Sequence, residues 1–310
     1  MELKQLRAFL TTVETGNVTK AAALLNIVQP AVSRQLRMLE EDMGTTLFSR
    51  GRHGMQLTEA GRVLEGYARR VLNEIERAMA EIRPSPDGIR GIVTVGLLPS
   101  TSDVLSSALL RALKERYPGI LLRITTGYAG HLANWLKIGD VDMALLYENK
   151  HTPAIQTKPL LEESLWLVGP PDSGLNQTVS VPFIDILDRP LILPSSPHGL
   201  RTLVEQAAKA HTRTLLIQAE TNAMSVQKRL VLDGHGYTIL PSIAVVEDVA
   251  NGILAAAPVS QPVLTRRIVI GASTAHPHSN SVRCVMTELI QCVKDSVATK
   301  NWPSARWLAD

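Results

Sequence analysis

The densest chemistry in this chain lies between residues 29 and 37. The pattern predicts a helix from about Gln29 to Glu41, in which Pro30, Ser33, Arg34 and Arg37 share one face and Gln29 stands at the tip. Val32, Leu36 and Leu39 take the opposite face and would pack inward. An arginine can pair two donors with guanine O6 and N7, and a glutamine can pair with adenine. Residues at the start of such a helix reach base edges best, which favours Gln29, Ser33 and Arg34 over Arg37. The same residues would also suit the solvated face of an ordinary amphipathic helix, so the face alone leaves both readings open.

The surrounding elements are what would position it. Leu3, Leu6, Leu10 and Val13 form one apolar helical stripe, and Gly16-Asn17 breaks it. A second helix is predicted from Thr19 to Leu25 with Thr19 as its N-cap. A turn at Asn26-Ile27-Val28 follows, and Pro30 suits the first turn of the third helix, where its missing N–H costs nothing. Lys20 and Thr19 could hold a nucleic-acid backbone. Between Gly44 and Leu57 two short β-prone pieces flank a tip, which predicts a hairpin or wing. Arg50, Arg52 and His53 on that tip suit phosphates or a minor groove.

A long helix is predicted from Thr58 to about Ile82. Leu64, Tyr67, Val71, Ile75, Ala78 and Ile82 keep a near-heptad spacing, with Arg62, Glu65, Arg69, Asn73 and Glu76 opposite. Such a helix is roughly 36 Å long, too long to be covered by a small winged domain. A partner helix from a second chain is the simplest cover, and packing on the chain's own C-terminal half is the alternative.

Pro84 to Gly91 ends the helix and marks a boundary. Beyond it short apolar strands alternate with helices, which predicts parallel sheets covered on both faces. The remaining length suits two lobes with a cleft, the chain crossing near Leu161 to Gly169 and returning near Arg266 to Gly271. Ligands of open α/β sheets bind beyond the carboxyl ends of strands. That rule selects Ser100-Thr101, the Gly127 to Gly130 loop, Ser195-Ser196-Pro197-His198 with Arg201 one turn on, and Thr221-Asn222. Hydroxyls, glycine amides and helix starts suit an anion, with Arg201 or His198 as its positive partner. Each of these residues could equally be a helix cap.

Composition sets the limits. The chain has 310 residues, 45% of them hydrophobic and 20% charged, and a net charge of +3 that permits nucleic-acid binding without demonstrating it. No apolar run approaches the roughly 20 residues of a membrane helix. The start, MELKQLRAFLTTVETG, lacks a signal-peptide pattern and predicts a cytoplasmic protein. Cys284 and Cys292 fall in one predicted helix, roughly 12 Å apart, too far for a disulfide. The sequence offers no phosphate-binding glycine loop, zinc spacing or nucleophile elbow, so no cofactor, metal or enzyme activity is expected. His276-Pro277-His278 reads as a loop, and Gly234-His235-Gly236 as a turn ending a helix. The tail ATKNWPSARWLAD could be disordered or could dock through Trp302 and Trp307.

The run GNVTKAAALLNIVQPAVSRQLRMLEEDMGTTLFSRGRHGMQLTEAG resembles the N-terminal signature of the LysR-type regulators. It matches the AA–LL–QPAVSRQL–LE–LF–R–G–LTEAG skeleton in order and spacing over roughly sixty residues. The looser patterns LKIGDVDMALLY and LVLDGHGYTILP extend the likeness across the chain. The resemblance implies an all-α winged helix-turn-helix over 1–57, a dimerising linker helix over 58–83 and a hinge over 84–91. Over 92–310 it implies a two-lobed α/β effector domain like a periplasmic binding protein, with lobe I about 92–161 and 266–297 and lobe II about 162–265. It implies a homotetramer that binds an interrupted palindrome of double-stranded DNA, a small-molecule effector and RNA polymerase. Effector contacts are implied at Ser100, Thr101 and the segment after Leu193, and the predicted set adds Gly130, Ser195, Ser196, His198, Arg201 and Thr221. Val28 stands where a capping serine is frequent, Asn17 where serine is frequent, and Ala129 where a hydroxyl is common. LILPSSPHGLR and MALLYE are most similar to the branch of the nitrogen assimilation control protein, some members of which work without a known coeffector. An effector-independent regulator therefore remains an alternative, with an α/β binding protein or enzyme more distant.

Overall fold

The structure is a computed structural model that describes residues 1–51, 54–82, 88–148, 154–274 and 279–309. Three helices open it: α1 (Leu3–Thr15), α2 (Val18–Leu24) and α3 (Gln29–Met43). Leu6, Phe9 and Leu10 of α1 pack on Ala21 and Ala22 of α2 and on Val32, Leu36 and Leu39 of α3. The predicted Thr19 cap is corrected: Asn17 caps α2, its Oδ1 accepting from the N–H groups of Thr19 (2.8 Å) and Lys20 (3.1 Å). Asn17 stands just outside the helix with its side-chain carbonyl oxygen facing those amides, whereas Thr19 already lies within the first turn. Helix α3 begins after Val28, which offers no side-chain cap, and ends at Gly44 in the left-handed conformation (φ 67°).

The wing is formed by β1 (Phe48–Gly51) and β2 (Gly54–Leu57), antiparallel with Phe48 opposite Leu57. It is fastened at both ends. Phe48 lies against Phe9 with ring centroids 5.3 Å apart, and Met55 N–H donates to Gly16 O at 2.9 Å. A side chain at Gly54 would meet Gly16 O at 2.5 Å, so this close approach requires glycine.

Thr58 caps the linker helix α4 (Glu59–Ile82), its hydroxyl accepting from Gly61 N–H at 3.0 Å. The single predicted seam is corrected into two. Leu64 and Leu72 pack with Ala68 on the helix-turn-helix core, whereas Tyr67 and Val71 are exposed beside Val63. Four-residue steps keep each set on its own stripe. The C-terminal half of α4 rests on the α/β half of the same chain. Arg77 pairs with Asp142 at 3.0 Å, and Glu76 pairs with Arg123 at 3.3 Å.

That half opens with β3 (Gly91–Leu97), α5 (Pro99–Arg116), β4 (Ile120–Thr126), α6 (Ala129–Ile138) and β5 (Met143–Tyr147). Strand β3 runs parallel to both β4 and β5. The chain then crosses on the long strand β6 (Ile155–Gly169). The second lobe holds β7 (Val181–Pro182), α7 (Phe183–Ile186), β8 (Leu191–Leu193), α8 (Gly199–Ala210), β9 (Ile217–Glu220) and α9 (Met224–Leu232). It continues with β10 (Thr238–Pro241), α10 (Val246–Ala250) and β11 (Ala255–Ser260). The chain returns on β12 (Thr265–Ser273), then forms α11 (Asn280–Ala298) and a last strand β13 (Ala305–Trp307).

The all-parallel expectation is corrected at the crossing. Strand β6 runs antiparallel to β12, β11, β10 and β13, because the chain leaves on one strand and comes straight back on its neighbour. Alternate residues of β6 feed opposite cores in the second lobe: Leu165 and Leu167 face Phe183 and Leu193, and Trp166 and Val168 face Val231 and Leu254. The first lobe has its own core, which includes Val95, Leu105, Leu145, Ile268 and Leu289. Trp302 belongs to that core at 1% exposure, so the tail is docked. Cys284 and Cys292 both lie on α11 and are free thiols. Among the described residues no helix is long and apolar enough to cross a membrane, and no cluster of metal-ligating side chains occurs. His276 and His278 lie outside the described residues.

Candidate nucleic-acid interface and inter-lobe cleft

The buried stripe of Val32, Leu36 and Leu39 fixes the rotation of α3, and so turns its polar face outward. Gln29, Pro30, Arg34 and Arg37 are exposed and Ser33 is half-buried. Gln29 Nε2 donates to Ser33 Oγ at 2.8 Å, so these two side chains form one unit at the helix start. Arg37 is 3.7 Å from Glu41, a loose pair between exposed groups. Arg34 has no acidic partner among the described residues, which leaves its full fork of donors available. Thr19 and Lys20 are exposed at the start of α2. Arg50 lies on β1 opposite Met55, and Arg52 and His53 lie outside the described residues. The arrangement can present donors and acceptors to base edges from one helix and a positive charge to phosphates from a second.

Between the lobes runs a cleft of about 810 Å³. Its walls come from the start of α6 (Tyr128, Gly130), the start of α8 (His198, Leu200), and the returning strand (Arg266, Arg267). A smaller recess of about 40 Å³ opens at its inner end, where Ser100 and Gln227 join Tyr147 and Arg266. The strand-end rule therefore brings Ser100, Gly130, His198 and Asn222 together.

Other predicted residues stand elsewhere. Thr101 is fully buried and its hydroxyl donates back to Leu98 O at 3.0 Å. Ser195 and Ser196 line neither cavity, and Ser195 N–H is spent on Asn222 Oδ1 at 3.0 Å. Thr221 Oγ1 accepts from Ala223 N–H at 3.2 Å, the cap role weighed for it. Arg201 is corrected as the cleft's cation. Its Nε reaches Glu205 at 2.6 Å and its Nη1 reaches Glu220 at 2.8 Å, so two carboxylates hold it off the cleft wall. His198 lines the cleft, but burial, then the charge of Arg266, push its pKa below the ordinary 6.5 and so disfavour its charged form as an anion partner.

The cation at the inner end of the cleft is Arg266, which sequence reasoning used only as a landmark of the returning strand. Its guanidinium lies 4.0 Å from the centre of the Tyr147 ring, and its Nη2 pairs with Glu163 at 2.7 Å. Burial works against its charge, and the pull of Tyr147 and Glu163 outweighs burial and raises its pKa. Tyr128, which packs edge-on against His198 at 5.0 Å, was also missed. The available signal was strand alternation, since of two adjacent arginines on one strand only one can face inward.

The family model described as the LysR substrate binding domain matches residues 86–293, and the one described as bacterial regulatory helix-turn-helix protein, lysR family, matches residues 3–62. The nitrogen assimilation regulatory protein nac of Klebsiella aerogenes is 29% identical over 94% of this chain and 95% of its own. The HTH-type transcriptional regulator BbuR of Bordetella bronchiseptica is 32% identical over 81% of this chain and 77% of its own. Full-length CbnR in complex with its target DNA shares the fold with a TM-score of 0.72 at 22% identity, covering 96% of this chain and 100% of that one.

Proposed function

The chain belongs to the LysR family of bacterial transcription regulators, and from that premise we propose that it reads an interrupted palindrome of DNA as a dimer and answers to a small anionic effector. The observation that carries the DNA reading is Arg34, without an acidic partner among the described residues, on the exposed face of α3 beside the Gln29–Ser33 unit. Arg34, Gln29 and Ser33 contact base edges, Arg37 and Lys20 contact phosphates, and Thr19 lies beside them. The exposed stripe of Val63, Tyr67 and Val71 on α4 joins two chains, and two-fold symmetry in the protein sets the symmetry of the site.

The effector sits in the inter-lobe cleft. Arg77 and Glu76 tie α4 to the first lobe, so a change in lobe closure alters how the DNA-binding domains are held. The effector shifts that equilibrium only as far as it binds the two states differently. Assembly of dimers into a tetramer and contact with RNA polymerase complete the reading.

Selection of genomic fragments by the purified chain tests it, with an S33A/R34A variant run in parallel. The native chain should enrich an interrupted palindrome that the variant loses. Enrichment of the same palindrome by the variant, or of none by the native chain, overturns the assignment of α3.

A further inference from the structure

Two groups at the inner end of the cleft carry buried polar atoms without a partner of normal geometry, with the Tyr147 phenol as their nearest polar neighbour. The side chain of Arg266 is 10% exposed, and its buried Nε meets no acceptor. The hydroxyl of Ser100, in the same recess, is buried without a partner of normal geometry. A buried polar group without a partner costs stability, and native structures hold few of them. Two in one recess describe a place built for an acceptor.

The anchor of Arg266 cannot swing round to supply it. Glu163 is fully buried, and while one carboxylate oxygen takes Arg266 Nη2, the other accepts the indole N–H of Trp302 at 3.0 Å. The Tyr147 ring beneath the guanidinium holds its plane. A guanidinium fixed in this way presents a preorganised fork.

We propose that Arg266 takes the acidic group of the effector, and that the effector is a small monocarboxylate with an apolar body. The carboxylate accepts from Arg266 Nε and Ser100 Oγ, and the body lies against Tyr128 and Leu200, which border both cavities. A second carboxylate would find the other arginine of the cleft lining already paired. Arg267, at the cleft mouth, is already met by Glu162 at 3.3 Å and Glu148 at 3.4 Å. This inference rests on the reading that the cleft is the effector site.

Ligand-observed NMR on the full-length chain tests it, with benzoate as probe, benzamide as its uncharged counterpart and phthalate as a dicarboxylate. Benzoate should bind in the millimolar range or tighter, and benzamide and phthalate at least about tenfold more weakly, the worth of one charge-assisted contact. The E163Q/R266Q double variant removes both buried charges together and so leaves no lone charge behind. It should hold benzoate no better than benzamide, while R201Q retains native affinity. R266K, which keeps the charge and loses the Nε fork, should fall between and serves if the double variant does not fold. Undiminished benzoate binding in both Arg266 variants, equal affinities for benzoate and benzamide, or no benzoate bound by the native chain overturns the proposal. Q206W, which fills the outer cleft, separates the two failures. Benzoate displaced by Q206W but not by the Arg266 variants leaves the cleft reading standing without Arg266. Benzoate displaced by neither moves the ligand out of the cleft altogether.

Discussion

Trp302 donates its indole N–H to the buried carboxylate of Glu163 across 3.0 Å, and so fastens the end of the chain to the strand that joins the two lobes. Ser304 reinforces the contact by donating to Ser164 O at 2.8 Å, and its hydroxyl lies 2.6 Å from that of Ser242 in the second lobe. The tail is thus tied to the crossing strand and to the second lobe at once.

Replacing Trp302 should therefore cost more than a surface residue near a terminus normally does. Trp302→Ala removes a side chain that is 1% exposed and should destabilise the α/β half by about 3–5 kcal/mol. Trp302→Phe keeps most of the packing but strips one donor from Glu163, and should cost about 1–3 kcal/mol. Urea unfolding of the full chain followed by circular dichroism measures both. Midpoints unchanged from the native value would make the tail a passive appendage.

The tail also shows where sequence reasoning stops. Ala305 to Trp307 is too short to show a period, and its strand exists only because β6 offers an edge. The first half of β6 was hidden for a related reason. Pro159 reads as a strand breaker, yet it sits at the register shift between Ile268 and Val269, where a bulge removes the need for its N–H. By contrast the helices of the DNA-binding half were legible, because Val32, Leu36 and Leu39 have one environment and one period. The cleft residues are legible only as strand ends. Arg201 and Arg266 look alike in sequence, and what separates them is that Glu205 and Glu220 surround the first.

Val28 precedes α3 with extended dihedrals (φ −78°, ψ 145°) and no side-chain cap, and it is 69% exposed. Val28→Ser places a hydroxyl where the first free N–H groups of α3 can use it. The variant should gain roughly 0.5–1 kcal/mol in the N-terminal domain, read as a higher melting temperature of that domain with its DNA affinity retained. A fall in melting temperature would mean that Val28 makes a compensating apolar contact.

His198 should set an acid limb on stability. Its folded pKa lies below the unfolded 6.5 because of burial and then Arg266. Below that value the unfolded chain binds a proton that the folded chain refuses, so stability present above it is lost as pH falls toward the folded pKa. His198→Gln should flatten the loss of unfolding free energy as the pH falls below 6.5. Parallel curves for the variant and the native chain would assign the acid limb to other groups.

The exposed stripe on α4 predicts a dimer that one charge can break. Tyr67 is 58% and Val71 38% exposed in the single chain, and a partner helix would bury both. Val71→Glu should shift sedimentation toward the monomer and weaken binding to a full palindrome, because two linked half-sites bind by avidity. Its affinity for a half-site should stay close to native. A variant that remains dimeric would place the interface elsewhere.

Arg34 and Lys20 should fail in different ways. If Arg34, which has no acidic partner among the described residues, reads sequence as proposed, Arg34→Ala should cost about 1–3 kcal/mol on the native site and flatten discrimination at one base position. Lys20, exposed at the start of α2, is proposed to meet phosphate, and each phosphate contact releases counterions whatever the sequence. Lys20→Ala should therefore weaken all sites alike and reduce the slope of log K against log salt by about one. Fluorescence anisotropy on native and single-substituted duplexes across a salt series separates the two patterns. If Arg34→Ala lowered the salt slope and left discrimination intact, its guanidinium would be on a phosphate and base reading would fall to Gln29 and Ser33.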